Sequence, residues 1–460
     1  MKSFSFSPLP LFPFSPILHP DIKACMEKAP APRQLSFPLK LLVVGVLYFS
    51  EGVPYGFVVT TLSFYLRGQG VPLEQIGILS LLGLAWSFKI LWSPLADRYG
   101  SRAAWLAPSQ VIIVICLVAL SFGAGQPIGP LFFVLVGLMC LASATQDLAV
   151  DAYTIDLLEP KELGLANGVR NGAYRMGALA AGSGLLIVSD WAGWQPAFVG
   201  LGVVMAALVL TVLVFRPFHL PRPEAEGRNP VGEKGLGFIK EAFRGLKRHP
   251  HFPAIMVFTL TFKAGDALMA SMISPFWKDQ GFSGSEFGVV SGILGAGATI
   301  LGGLLGGWAT SRWGIGFGLW SMGILQAVSN LGYWAAALPG MTRYAVFTVS
   351  LPFLSQPLAV YPIYLASQGE SLASGMGSAA FMAFLMALCD KRFSAMHYAF
   401  FAMLFSFGAR VFGYLGGWGA ASFGYANFFF LSFLAALPAF GLLPWILPVI
   451  RRIEGVSSEQ

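Results

Sequence analysis

Long apolar stretches alternate with short polar breaks along the whole chain. Twelve such stretches can be marked, at about residues 39–66, 73–96, 103–123, 129–157, 163–188, 194–215, 251–277, 284–310, 315–338, 358–388, 394–422 and 426–449. A helix rises 1.5 Å per residue, so about 20 apolar residues cross the hydrocarbon core of a bilayer. A transmembrane β-barrel would show ~10-residue segments of alternating polarity instead, and none is visible. The pattern predicts an all-α membrane protein with twelve transmembrane helices.

The two halves of the pattern repeat each other. Residues 67–80 (RGQGVPLEQIGILS) align with 278–291 (KDQGFSGSEFGVVS), which sets Gln69, Gly70, Gly77 and Ser80 on Gln280, Gly281, Gly288 and Ser291. Farther on, Arg98 falls on Arg312, Leu141-Ala142-Ser143 on Leu372-Ala373-Ser374, and Gly177, Gly182, Gly193 and Phe198 on Gly408, Gly413, Gly424 and Phe429. The offset widens from 214 to 231, so the second half holds about 17 extra residues. These fall near 339–357, as a long outside loop that could dip into the membrane. Two parallel six-helix halves with a site between them at mid-depth describe a secondary transporter. The organisation expected is a disordered tail at 1–37, six-helix bundles at 38–215 and 250–450, a linker at 216–249 and a second tail at 451–460. Within the linker, 235–248 (GLGFIKEAFRGLKR) has the pattern of an amphipathic helix lying on the cytoplasmic surface.

Composition agrees. Charged residues make up 11% of the chain and hydrophobic ones 56%, against roughly 25% charged in soluble proteins. The net charge of +7 could suggest a nucleic-acid partner, but its placement says otherwise. With the amino terminus in the cytoplasm, 21 of the 29 Lys and Arg lie in inside segments and only Arg67, Lys278 and Arg343 lie outside. That is the positive-inside asymmetry of an inner-membrane protein with both termini cytoplasmic. Cys25, Cys116, Cys140 and Cys389 have no metal or disulfide spacing. The first 25 residues are broken by prolines and make a poor signal peptide; they read as a disordered tail, or as sequence ahead of a start at Met26.

The informative residues are the charges inside the spans. Each costs at least ~2.5 kcal/mol even on insertion scales, so each needs a partner, a wet cavity or a function. Lys89 and Asp156 sit near helix ends, where they can snorkel. In the fourth span Ser143, Asp147, Asp151 and Thr154 share one helical face at 100° per residue. The fifth answers with Asn167, Asn171 and Tyr174, flanked by Arg170 and Arg175. The two run antiparallel, which sets Asp147 level with Arg175 and Asp151 level with Arg170. In the first span Glu51 lies near mid-depth beside Gly52 and Pro54, where a kink is expected. Lys263 and Asp266 form an i,i+3 pair, and Glu370 and Arg410 are depth-matched on consecutive spans. Structural ion pairing is one reading of these groups. The other is a polar cavity wall, in which low dielectric favours the neutral carboxylic acid and lets it exchange protons.

Residues 93–102, SPLADRYGSR, resemble the G-x-x-x-D-R-x-G-R-R signature of the major facilitator superfamily, with Ser93 and Ser101 as departures. The resemblance implies a gating role for Asp97 and Arg98, and for Arg312 at the matching place in the second half. It sharpens over LRGQGVPLEQIGILSLLGLAWSFKILWSPLADRY, SATQDLAVDAY, FKAGDALMASMISPF, LQAVSNLGYW and GMGSAAFMAFLMALCDKRFSAMHYA, which look like the AmpG-type permeases. What it implies is a monomeric, proton-coupled importer of cell-wall degradation products, GlcNAc-1,6-anhydroMurNAc and its peptides. The related acetyl-CoA transporters make another organic anion the alternative. Glu51, Asp147, Asp151, Asp266 and Glu370 are then the proton-coupling candidates. A large anionic sugar-peptide needs cations and aromatic faces, for which Arg170, Asn171, Tyr174, Arg175, Lys263, Arg410, Tyr48, Tyr55 and Trp86 are available.

Other classes fit less well. Asp147 and Asp151 have the D-x-x-x-D spacing that holds Mg²⁺ in membrane prenyltransferases, but the second Asp-rich motif is missing. There is no phosphate-binding G-x-x-x-x-G-K-[ST] loop and no histidine cluster, so neither a metal nor a cofactor is expected. A passive channel on the same scaffold would differ in being unable to accumulate solute.

Overall fold

In hydrocarbon no water is present to satisfy the peptide groups, so an apolar segment closes its own hydrogen bonds as helix. The computed structural model describes residues 35–93, 102–158, 162–214, 251–349, 358–389 and 394–457. The linker helix, the Asp97–Arg98 motif, most of the first tail and part of the 339–357 loop lie outside them. Helices α1 (Phe37–Gly68), α2 (Leu73–Phe88), α3 (Arg102–Phe122), α4 (Pro130–Leu157), α5 (163–192) and α6 (Trp194–Val214) make up the first half. The second contains α7 (Phe252–Asp279), α8 (Gly284–Trp313), α9 (Ile315–Ala336), α10 (Pro362–Ala387), α11 (394–423) and α12 (425–440), with α13 (Leu443–Ser457) after it. Among the described residues seven helical stretches are long and apolar enough to cross a membrane by themselves, and one of these, Phe400–Phe440, turns back at Gly424 into α11 and α12. Outside that set, α5 and α10 carry membrane charges and α9 the buried Gln326 and Asn330; their interior-facing sides need not be apolar.

The repeat has a structural meaning. Gly70 and its counterpart Gly281 turn the chain at φ 78° and 75°, and Gly193 and Gly424 do so at 84° and 72°. Side chains rarely adopt that backbone region, and glycine enters it freely. Gly177 in α5 lies against the Phe49 carbonyl of α1, and its counterpart Gly408 in α11 lies against the Leu260 carbonyl of α7. The same helix pair is thus closed by the same residue in each half. Gly177→Leu should overpack that contact by on the order of 3 kcal/mol. The expected result is a collapsed monodisperse peak in detergent size-exclusion; an unchanged peak and melting temperature would show the contact to be dispensable.

Five helices depart from regular α geometry, one of them α2, which is interrupted at Gly83. Pro54 in α1 is followed by a π-helical turn at Phe57–Thr61, so the kink expected beside Glu51 is taken up one turn later. Further π turns occupy Ala180–Gly184 in α5 and Gly288–Leu294 in α8. Helix α7 breaks between Thr261 and Ala264, which leaves Lys263 at the amino end of its second segment.

The tenth predicted span begins too early. Leu358–Val360 is a strand, paired antiparallel with Phe347–Val349 in a small ribbon that occupies part of the long loop. The twelfth span is interrupted at Gly441 and Leu442 before α13 begins.

The halves meet along three lines, α2 on α11, α5 on α8 and α1 on α7. At the end of the bundle away from the termini these contacts are tight. Arg67 at the end of α1 donates through Nε to both carboxylate oxygens of Asp279 at the end of α7, at 2.6 and 2.7 Å, and the Tyr425 hydroxyl bonds the same carboxylate at 2.8 Å. Asp190 of α5 accepts from the Gly284 and Ser285 amides at 3.1 and 2.6 Å, satisfying the free donors at the start of α8. Gly77 of α2 and Gly417 of α11 face each other backbone to backbone.

Candidate functional site

The first charged cluster lies inside the first half. Asp151 of α4 accepts from the Tyr48 hydroxyl of α1 at 2.7 Å and pairs with Arg170 of α5 at 2.9 Å. The Arg170 guanidinium also stacks over the Tyr48 ring, 4.6 Å from its centroid. Asp147, one turn deeper and 5% exposed, is reached by Lys89 of α2 at 3.6 Å, and the same ammonium lies 3.5 Å from Asp151. Glu51 is buried among these groups, with Asp147, Asp151, Lys89 and Arg170 as its electrostatic neighbours. Among the described residues neither Glu51 Oε2 nor Asp147 Oδ1 has a hydrogen-bond partner. Ser50, next to Glu51, accepts from the amides of Gln110 and of Gln146, next to Asp147, at 3.1 and 3.0 Å, tying α1, α3 and α4 together beside the cluster.

Part of the expected pairing is made and part is not. Asp151 and Arg170 meet as the depth argument predicts. Asp147 and Arg175 do not: five positions along a helix is a rotation of about 140°, so Arg170 and Arg175 cannot both face α4. Arg175 is exposed, on the same face as Asn171, and makes no ion pair among the described residues. Lys89 takes its place at Asp147 and does not snorkel to the surface. Its depth of roughly 12 Å was the available signal; what stayed hidden was that α2 faces α4. The side chains of Asp156 and Asn167 lie outside the described residues.

The second cluster lies inside the other half. The i,i+3 pair forms, with Lys263 Nζ at 3.3 Å from Asp266, and the same ammonium donates to the Ser374 carbonyl of α10 at 3.4 Å. Glu370 of α10 has Asp266, Lys263 and the buried Tyr333 as electrostatic neighbours. It does not pair with Arg410, although the two are level. Helix α10 packs on α8 and α9, whereas α11 packs on α7 and α2, so equal depth comes without adjacency.

Between the halves lies a cavity of about 360 Å³, bounded by α1, α2, α7 and α11 and lined by Tyr55, Ser80, Ser271, Ser406 and Arg410 among others. Tyr55 packs edge-on to Trp86, 5.8 Å between centroids, and against Tyr174 at 5.9 Å. Tyr174 in turn has Glu51, Asp147 and Arg410 as electrostatic neighbours. This aromatic cluster therefore connects the first charged cluster to the cavity. Of the gating candidates, Asp97 and Arg98 are outside the described residues, and Arg312 is exposed in the last turn of α8. The Asp190 and Asp279 contacts had no counterpart in the sequence reading, because acids near helix ends look ordinary until their partners are placed.

The arrangement has known likenesses. The sequence profile of the Major Facilitator Superfamily matches residues 42–369. The anhydromuropeptide permease of Escherichia coli K12 is 32% identical over 410 residues, covering 88% of this chain and 78% of its own. In fold, the nucleoside transporter NupG superposes with a TM-score of 0.67 at 17% identity, over 88% of this chain and 99% of NupG. A bacterial homologue of the human lysosomal transporter Spinster, solved inward-facing and unoccupied, also gives 0.67, at 16% identity over 91% and 98% of the two chains. These are transporters and not enzymes, and this chain belongs to the major facilitator superfamily and, within it, to the AmpG-type permeases.

Proposed function

We propose that this permease imports anhydromuropeptides, GlcNAc-1,6-anhydroMurNAc and its peptides, across the bacterial inner membrane together with protons, as a monomer with both termini in the cytoplasm. The observation that carries the coupling is a surplus of carboxylates. Glu51, Asp147 and Asp151 face two cations, Lys89 and Arg170; Asp266 and Glu370 face one, Lys263. An uncompensated carboxylate in low dielectric takes a proton in place of the missing cation, so each half offers a protonation site. The orphaned oxygens of Glu51 and Asp147 support the first of them.

The cavity supports the solute class. Tyr55 on the cavity wall, with Trp86 packed edge-on against it, offers an aromatic surface to sugar rings, and of the cationic candidates Arg170 and Lys263 are already paired, which leaves Arg410 and Arg175 for the anion. Contacts among the described residues at the far end hold the halves together on that side. Solute binding from outside then requires the far-end contacts to part.

The test is complementation and uptake. In bacteria lacking their own permease, the chain should restore anhydromuropeptide recycling and accumulate labelled GlcNAc-anhydroMurNAc against its gradient. A protonophore should reduce this to equilibration. Failure to complement, with the protein present in the membrane, would overturn the substrate; accumulation that survives the protonophore would overturn the coupling.

A further inference from the structure

We propose that Arg410 anchors the anionic group of the solute and that Gly83, on the opposite half, is the residue that positions it. Arg410 belongs to α11, but its guanidinium rests on the first half. A Cβ at Gly83 of α2 would lie 2.7 Å from Arg410 Cζ and Nη1 and 2.8 Å from Nε. The guanidinium therefore lies against the α2 backbone where any side chain would stand. It reaches Trp86 and Tyr55 at 5.9 and 6.0 Å from their ring centroids, the outer limit of a cation–π contact. One turn toward the termini, the Ser87 and Ser406 hydroxyls bond at 2.7 Å and fix the register of α2 on α11.

Among the described residues two cations inside spans lack a carboxylate: Arg175, which is exposed, and Arg410, which is part-buried and lines the cavity. Lys40, Arg67, Lys89, Arg170 and Lys263 each have one. A part-buried arginine at membrane depth that lines a cavity and lies over two rings without a paired carboxylate is costly to keep unless a ligand completes it. The planar fork of the guanidinium suits a carboxylate, which it binds through two parallel hydrogen bonds. The seat on Gly83 fixes where that fork lies on the wall of the cavity that Arg410 lines. Because the arginine comes from one half and its seat from the other, a carboxylate bound here engages both halves at once.

This inference rests on the solute being anionic, and its experiment is chosen to fail separately from the proposed substrate. Labelled GlcNAc-anhydroMurNAc and its lactyl methyl ester are the transport probes. Arg410→Gln should raise KM for the acid by about 30-fold, the scale of a lost charge-assisted pair, while changing KM for the ester by less than about 3-fold. Gly83→Ala should give the same acid-selective loss with unchanged protein level and melting temperature, and Arg410→Lys should restore little of it, since an ammonium lacks the fork. Equal losses for acid and ester, or no loss, would overturn the proposal. A second readout does not depend on the muropeptide being carried: thermal stabilisation of purified protein by a panel of sugar acids and their esters. Selective stabilisation of wild type by acids, absent in Arg410→Gln, supports the anchor whatever the natural solute. Stabilisation by no acid, or by acids equally in both proteins, overturns it.

Discussion

Asp147→Asn is expected to abolish concentrative uptake, by at least about 100-fold, the size of a lost buried charge-assisted pairing, while the protein still reaches the membrane folded. Asparagine matches the shape of aspartic acid but cannot lose a proton, so a cycle that needs this carboxylate to change charge stops. Folding should survive because Lys89 keeps Asp151 at 3.5 Å and Asp151 keeps Arg170 at 2.9 Å. The informative comparison is counterflow, in which labelled solute exchanges against unlabelled solute without net proton movement. If Asp147 is part of the coupling site, the variant loses accumulation and retains exchange. Loss of both would mean that Asp147 holds the site together structurally, and normal accumulation would remove it from the transport mechanism. Glu51→Gln is the companion variant, since its Oε2 is the other orphaned carboxylate oxygen of the same cluster.

The second large effect is expected from a residue that carries no charge. Gly417 of α11 faces Gly77 of α2, and a Cβ there would run into the Leu73 carbonyl and stand 3.0 Å from the Gly77 Cα. This contact joins the halves and not the helices within one half. Gly417→Val should therefore fold but be unable to close the far end, which biases the protein toward the outward-open state. Uptake should fall by about 100-fold, since displacing that state by ~3 kcal/mol or more, a severe overpacking cost, leaves the inward state rare. In a variant without native cysteines, Ser63→Cys on the cavity wall should become reactive to a membrane-impermeant thiol reagent added from outside. Unchanged labelling together with normal uptake would show that this glycine pair is not part of the gate. Asp279→Ala, which removes the shared partner of Arg67 and Tyr425, should shift labelling the same way but less, because that pair is partly exposed and water replaces much of it.

Much of the architecture was legible beforehand. The apolar stretches and the repeat follow from two one-dimensional facts: how many residues cross oil, and which residues recur at a constant offset. The i,i+3 pair of Lys263 and Asp266 was equally readable, since both partners sit on one helix and their spacing alone brings them together. The ribbon at Phe347–Val349 and Leu358–Val360 was not. Its second strand is as apolar as the helix that follows, and three residues carry no period.

The sequence by itself determined how far along its helix each charge inside a span lies and the helix face on which it stands, because rise and rotation per residue are constants of the helix. It could not determine partners. Two groups at one depth meet only if their helices are neighbours turned toward each other, and that is a property of the packed bundle. Tertiary structure alone gave Asp147 to Lys89 instead of Arg175, turned Glu370 toward Lys263, and sent Arg410 across to the other half to lie on Gly83. It alone also tied the halves together at the far end, since the acids that latch it, Asp190 and Asp279, acquire their meaning only from what the opposite half places beside them.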